Sequence, residues 1–256
     1  MNYSRSLQSD AVFYKRVREG DSADVKERDI WLGLATLRAQ SGYALLISAN
    51  RSLTEIGRKR ISTALFSLLV RHNIICDKDR AKFETTVFSA AKAISDGGGE
   101  DAALALLRAL SPSDREVRQS FSTLNFRGSQ NSSAQIILRA LEYELRVTDE
   151  LVIATPDRVH LEHIYAQRPA PADRLANHDE YVGRIGNLTL LDHRLNQEAQ
   201  NLGFIAKKDR FYIHSGIYLT RELLDDNAWT PREIDARQQH LCDLAIQVWP
   251  QDLIPA

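Results

Sequence analysis

Apolar residues in the first 150 positions recur at the three- and four-residue spacing of amphipathic helices. In the segment 54–72 they are Ile61, Ala64, Leu65, Leu68 and Leu69, and in the segment 82–94 they are Phe83, Val87, Ala90, Ala91 and Ile94. The glycines at 97–99 end the second segment, and residues 100–110 predict a short helix before Ser-Pro at 111–112. This part of the chain is therefore predicted to be a series of helices.

Capping signals mark further helices. Ser113 and Glu116 have the spacing of a capping box, and the apolar run at 132–147 follows. Near the end of the chain, Thr230 has the position of an N-cap, Pro231 that of the first helical residue, and Glu233 completes a second box. The predicted stripe of this last helix consists of Ile234, Leu241, Ala245 and Val248.

The pattern changes near residue 151. RVHLEHI (158–164) alternates and predicts a strand, and GNLTLLD (186–192) predicts a second one. HRLNQEAQN then predicts one or two helical turns that Asp192 can cap. The predicted fold class is mainly α, with a helical N-terminal part, a small strand–loop–strand–helix insert, and further helices. The predicted division is 1–150 and 151–256, with the insert at about 158–201 and C-terminal helices at 203–249.

Composition excludes some classes of protein. The 256 residues include 33 basic and 34 acidic ones, so the net charge of -1 lacks the basic excess typical of dedicated nucleic-acid binders. No apolar run approaches the roughly 20 residues of a membrane span, and the start lacks a signal-peptide pattern, which favours a cytoplasmic location. Cys76 and Cys242 form no CxxC, so neither a zinc ribbon nor a disulfide framework is indicated.

Histidines concentrate in the insert. Five of the seven lie in one window: His160, His163, His178, His193 and His214. Four of them (all but His214) could in principle form a zinc site, but their spacing matches no common structural zinc pattern and no thiolate accompanies them. We also consider each as a histidine whose ring is satisfied within the fold, and for His178 and His214 we prefer this interpretation.

The ordered motifs resemble those of HNH, or ββα-metal, nucleases. HLEHI, RIGNLTLLDHRLN, the Asn201/Phe204/Lys207 series, and WTPREIDAR with a closing VWP resemble the C-terminal domain of GmrSD-type modification-dependent restriction enzymes. The preceding helical region, with LEYELR, is similar to the connecting region of those proteins. One departure is Ala166, which stands in EHIYAQRP where the family usually has proline.

The resemblance implies the roles of several residues. Glu162 and Asn196 would hold Mg²⁺ or Mn²⁺, which suits a cation that prefers oxygen ligands. His163 would be the general base, and Asn187 would brace it through a hydrogen bond to its other ring nitrogen. Lys207 would meet a phosphate, and His160, His193 and Asn201 are weaker candidates for contacts with the substrate. Neighbouring strand residues face opposite sides, so this assignment requires the strand to end, twist or bulge at 162–163; otherwise the base should be His160.

The implied function is metal-dependent hydrolysis of DNA, with nicking expected from a single site. The implied setting is the effector part of an anti-phage restriction system that acts on modified phage DNA. An N-terminal nucleotide-using sensor domain, or a partner protein, is expected to be supplied elsewhere, since no GxxxxGK[ST] motif occurs here. The alternatives are an RNA-directed or non-specific nuclease, a catalytically silent DNA-binding or interaction module, and a structural zinc protein.

Overall fold

The computed structural model describes residues 3–145 and 158–255. The first helices are α1 (Tyr3–Glu19), α2 (Val25–Thr36), α3 (Gln40–Ser52), α4 (Glu55–Leu68), α5 (Arg80–Ser95), α6 (Gly99–Leu110), α7 (Asp114–Phe121) and α8 (Asn131–Leu145). The strands are β1 (Val159–His163) and β2 (Leu188–Asp192). The remaining helices are α9 (His178–Tyr181), α10 (His193–Ala199), α11 (Phe204–Arg210), α12 (Tyr218–Arg221) and α13 (Pro231–Val248). The predicted mainly α fold with a small ββα insert is confirmed. None of the helices in the described ranges is both long and apolar enough to cross a membrane.

The chain divides into two compact units. One contains residues 1–117 and 249–256, and the other contains residues 118–248. The division predicted at residue 150 lies in 146–157, outside the described residues. α8, which precedes that predicted division, belongs to the second unit together with the strands.

The first unit is built on the helices that periodicity predicts. The apolar stripes of α4 and α5 are buried, with Leu65 and Val87 among the fully enclosed side chains. α4 continues as a π-helical segment, Leu69–Ile75, which carries the fully buried Arg71. The Arg71 guanidinium donates hydrogen bonds to the carbonyl oxygens of Trp249 and Pro112. These bonds hold residue 249 within the first unit, although it is distant in sequence.

In the second unit, β1 and β2 form an antiparallel pair in which Glu162 lies opposite Thr189 and His163 opposite Leu188. The Asp192 side chain accepts hydrogen bonds from the first amides of α10, as predicted. Ala199 and Leu191 then join a cluster of buried apolar residues. The insert therefore has the predicted order of strand, loop, strand and helix.

α13 supports the start of β2. Gly186 lies so close to α13 that a Cβ atom would collide with the Ile234 carbonyl oxygen, so only glycine fits there. The buried Arg237 donates hydrogen bonds to the carbonyl oxygens of Gly186 and Leu188 at 3.1 and 2.7 Å. At the N-terminus of α13, Thr230 and Glu233 form the predicted capping box. This helix therefore fixes the backbone that carries Asn187.

Candidate active site

β1 ends at His163, within the stretch where the sequence requires the strand to end, twist or bulge, while Glu162 and His163 themselves are paired in regular register opposite Thr189 and Leu188. The next residue, Ile164, donates its amide hydrogen to the Asn187 carbonyl oxygen at 2.9 Å, and the chain then leaves the strand. His163 is thus the last residue of β1, directly before an irregular loop. The alternative that moves the base to His160 required a strand that continues past residue 164.

Glu162 is a buried carboxylate, 3% exposed. Its Oε1 lies 2.7 Å from Lys207 Nζ and accepts a hydrogen bond of 3.0 Å from the Tyr212 hydroxyl. Burial raises the pKa of the Glu162 carboxyl, and the Lys207 charge opposes that shift. Burial likewise lowers the pKa of Lys207, and Glu162 opposes that. Each group is therefore the compensating charge for the other in a site largely removed from water.

Lys207, predicted to meet a substrate phosphate, is buried in the structure. Its side chain is 0% exposed, and besides the Glu162 carboxylate its ammonium binds the His163 carbonyl oxygen at 2.6 Å. A lysine enclosed in this way cannot reach a phosphate without leaving both partners. Lys207 instead joins α11 to the end of β1 and holds residues 162 and 163 in place.

His163 is half-buried, and its ring is kept neutral. Burial, with a smaller effect of the Lys207 charge, lowers the pKa of His163 to about 4. Its Nε2 lies 3.1 Å from Gln167 Nε2. Because an amide NH₂ group only donates hydrogen bonds, this contact places the ring proton on Nδ1 and leaves Nε2 as the acceptor. A neutral imidazole with an unprotonated nitrogen has the protonation state that a general base needs.

Asn187 does not make the predicted hydrogen bond to the His163 ring. Its Oδ1 accepts from the Tyr165 amide at 2.7 Å and from Trp229 Nε1 at 2.9 Å. Its Nδ2 donates to the carbonyl oxygens of Tyr165 and Val182, both at 3.0 Å. These four bonds use the full capacity of the amide, so nothing remains for an imidazole nitrogen. Asn187 instead holds the loop after β1. Its two hydrogen bonds to the Tyr165 backbone fix the chain next to Ala166, where the family usually has proline.

Asn196 joins α10 to β1. Its Nδ2 donates to the Leu161 carbonyl oxygen at 3.1 Å, in the strand that carries Glu162. The amide nitrogen is thereby committed to the protein, which leaves Oδ1 as the atom that can bind a ligand. Carboxylate and amide oxygens are hard donors of the kind that Mg²⁺ and Mn²⁺ prefer. Glu162 and Asn196 therefore carry oxygen donors of the type that such a cation takes, although Oε1 of Glu162 is already bound by Lys207 and Tyr212.

The histidines do not gather into a zinc site. His160 and His193 face one another, with 3.1 Å between their Nδ1 atoms, while Nδ1 of His178 lies 2.7 Å from the Tyr165 hydroxyl. Within residues 3–145 and 158–255, no group of three or more His, Cys, Asp or Glu side chains could hold a metal ion. His178 is thus a satisfied buried histidine, as preferred from the sequence, and His214 is exposed.

Two residues of the site were missed by sequence reasoning. Tyr212, fully buried, binds Glu162 from 50 positions further along the chain, and Gln167 contacts His163 from the loop after β1. No local pattern distinguishes either residue, because each reaches the site only through tertiary packing. Asn201, a weaker candidate for substrate contact, accepts a hydrogen bond from the Arg168 amide at 3.0 Å.

Comparison with known proteins agrees with this architecture. No curated protein matches the chain. Residues 111–244, just over half of the 256, match the family model for the C-terminal domain of GmrSD restriction endonucleases. The match contains β1, β2, α10 and α11, and so contains each of the side chains described above. The chain therefore belongs to the family of GmrSD restriction endonucleases, of which it carries the C-terminal domain.

Proposed function

We propose that the chain is a metal-dependent HNH endonuclease that hydrolyses phosphodiester bonds of DNA, as the effector of a restriction system directed at phage DNA. The observation that carries the proposal is the position of His163, whose imidazole ends β1 directly after the buried carboxylate of Glu162. Membership of a restriction endonuclease family supports DNA as the substrate. The proposed targeting of modified DNA depends on a sensor domain or partner protein.

In the proposed reaction, Nε2 of His163 takes a proton from the water that attacks the phosphorus. Gln167 must give way for this, because its amide occupies the same nitrogen in the free protein. Lys207 and Asn187 position the base: one binds the His163 carbonyl oxygen and the other holds the loop that follows. Neither residue needs to touch the substrate.

Glu162 and Asn196 would hold the divalent cation through Oε and Oδ1 oxygens. When bound, Mg²⁺ or Mn²⁺ supplies charge stabilisation to the phosphate and to the departing 3′ oxygen. The ion pair with Lys207 keeps the Glu162 carboxylate charged in a buried place. The hydrogen bond that Asn196 Nδ2 donates to the Leu161 carbonyl oxygen leaves Oδ1 as the side-chain atom that can bind the ion.

The test is cleavage of supercoiled plasmid by the full chain, in Mg²⁺ or Mn²⁺ and in a chelator. We expect nicked circles from the wild type with metal, because one site cuts one strand at a time. His163→Ala should lower the rate at least 100-fold, since general-base catalysis contributes about 10² to 10⁴ in rate. Asn196→Ala should also lower the rate, because it removes a ligand of the proposed cation. His214→Ala, at an exposed histidine, is the matched control. Equal cleavage by His163→Ala and the wild type would contradict the proposal, as would equal rates in metal and chelator.

A further inference from the structure

His163 lies in the wall of a cleft of about 310 Å³ in the second unit. The cleft is bordered on one side by the loop after β1, with Gln167 and Arg168, and on the other by Arg127 and Asn131 near the start of α8. No aspartate or glutamate is among its lining residues. The cleft therefore combines the proposed base with a positively charged wall, in a protein whose net charge is only -1.

The two arginines of this wall are available for a ligand. Both are exposed, and within the described part of the chain neither forms an ion pair. Arg127 Nε contacts only the neutral Asn125 Oδ1, at 3.3 Å. Arg184 shows the contrast, since its guanidinium binds the carboxylates of Glu180 and Asp235. Arg127 and Arg168 are thus cations without compensating carboxylates next to the proposed base.

Both arginines are held by the surrounding fold. The Phe126 amide donates to the Gly183 carbonyl oxygen at 2.7 Å, and the Ile185 amide donates to the Leu124 carbonyl oxygen at 3.2 Å. These bonds fasten the segment before α8 against the chain that leads into β2. On the other side, the Arg168 amide is bound by Asn201 Oδ1. The positions of the two backbones are therefore fixed, while the guanidinium groups remain exposed.

We propose that Arg127 and Arg168 bind the phosphates on either side of the scissile phosphodiester and so seat the DNA backbone over His163. This rests on the proposed nuclease function and adds to it a substrate contact from outside the ββα insert, because Arg127 precedes α8. Guanidinium groups suit this task, since their planar donors match phosphate oxygens. Contacts to phosphate position a duplex without reading its sequence, so the cleft should not discriminate between bases.

The test measures DNA binding separately from cleavage. The affinity of the full chain for a fluorescein-labelled duplex of 20 base pairs is measured by anisotropy between 25 and 200 mM KCl (roughly a three-fold span of Debye length), in a His163→Ala background. Arg127→Ala and Arg168→Ala should each weaken binding and reduce the slope of log Kd against log salt by about 0.9, as expected for one lost phosphate contact on B-DNA. Arg127→Lys should keep the slope, because it keeps the charge.

Arg232→Ala is the matched control, since Arg232 is exposed on α13 in a separate cleft lined by Glu222, Asp226 and Glu233. It should leave both Kd and the slope unchanged. Unchanged slopes in Arg127→Ala and Arg168→Ala, or an equal fall in the Arg232 variant, would overturn the proposal, as would absence of binding by the His163→Ala parent at the lowest salt. Reduced slopes in the His163→Ala background, together with no plasmid cleavage by the chain that keeps His163, would instead reject the nuclease function and leave the binding cleft standing.

Discussion

Replacing Lys207 by methionine should destabilise the second unit strongly. The substitution removes the charge that compensates Glu162 and leaves a carboxylate that is only 3% exposed. Its remaining partners are the Tyr212 hydroxyl and the His163 amide. Breaking a buried ion pair from one side costs about 3–5 kcal/mol, because the other charge stays buried. Methionine fills much of the lysine volume, so this loss is mainly electrostatic.

The loss in Lys207→Met should depend on pH. Burial already raises the pKa of Glu162, and removing Lys207 raises it further, so the folded state binds a proton more tightly than the unfolded state. A carboxyl whose pKa is higher in the folded state stabilises the fold at low pH. This contribution falls as the pH increases above 4.5, the ordinary pKa of a glutamate. The variant should therefore be closer to the wild type at pH 4 than at pH 7.

Hydrogen exchange measured by mass spectrometry is the suitable assay, because it reports the two units separately. At pH 7, the free energy of opening for peptides of β1 and β2 should fall by about 3–5 kcal/mol, or about 10² to 10⁴ in the opening equilibrium. Peptides of α5, in the first unit, are the internal control. Glu162→Gln combined with Lys207→Met should recover most of the loss, since no unpaired charge remains. A loss below about 1 kcal/mol that does not vary with pH would refute the buried ion pair.

Three further predictions concern other parts of the chain. Asn187→Ala should destabilise β1 and β2 by at least about 3 kcal/mol in the same exchange experiment, because it leaves four buried hydrogen-bonding groups without their partner; a loss under 1 kcal/mol would contradict this. In Glu116→Gln, the free energy of unfolding of the first unit should fall less than in the wild type as the pH decreases from about 4.5 to 2. Lys78 and Ser113 lower the pKa of Glu116 to about 2, so the stabilisation by its carboxylate is present above pH 4.5 and is lost as the pH falls; an equal fall in both proteins would contradict this. Gly183→Ala should weaken DNA binding as Arg127→Ala does, because its Cβ would lie 2.5 Å from the Phe126 carbonyl oxygen and push the Arg127 segment away; unaltered affinity would contradict this.

Most of the ββα insert could be predicted because its signals are local. The alternating residues 158–164 mark β1, the apolar stretch after Gly186 marks β2, and the Asp192 cap marks the start of α10. The two capping boxes, at Ser113 and Thr230, are likewise formed as predicted. In each case the residues that determine the element lie within a few positions of one another, so their pattern carries the information.

The roles of Lys207 and Asn187 were not predictable from local pattern. The α11 periodicity cannot reveal that Lys207 lies inward against Glu162, because burial of a lysine depends on a partner 45 positions away. Asn187 lies at the predicted place, but its orientation follows from the turn of residues 185–187 and the packing of Gly186 against α13. The charged cleft is a further example, since Arg127 comes next to His163 only through the bonds between residues 124–126 and 183–185.

The central claim is that His163, rather than its strand neighbour His160, acts as the base. The most direct measurement compares initial nicking rates of supercoiled plasmid for the wild type, His163→Ala and His160→Ala, each in Mg²⁺ and with the fold checked by hydrogen exchange of β1. We predict that His163→Ala loses at least 100-fold, in the range of about 10² to 10⁴ typical of a lost general base. His160→Ala, which loses only its contact with His193, should retain most of the activity. The reverse order of rates, in two variants that both remain folded, would contradict the account.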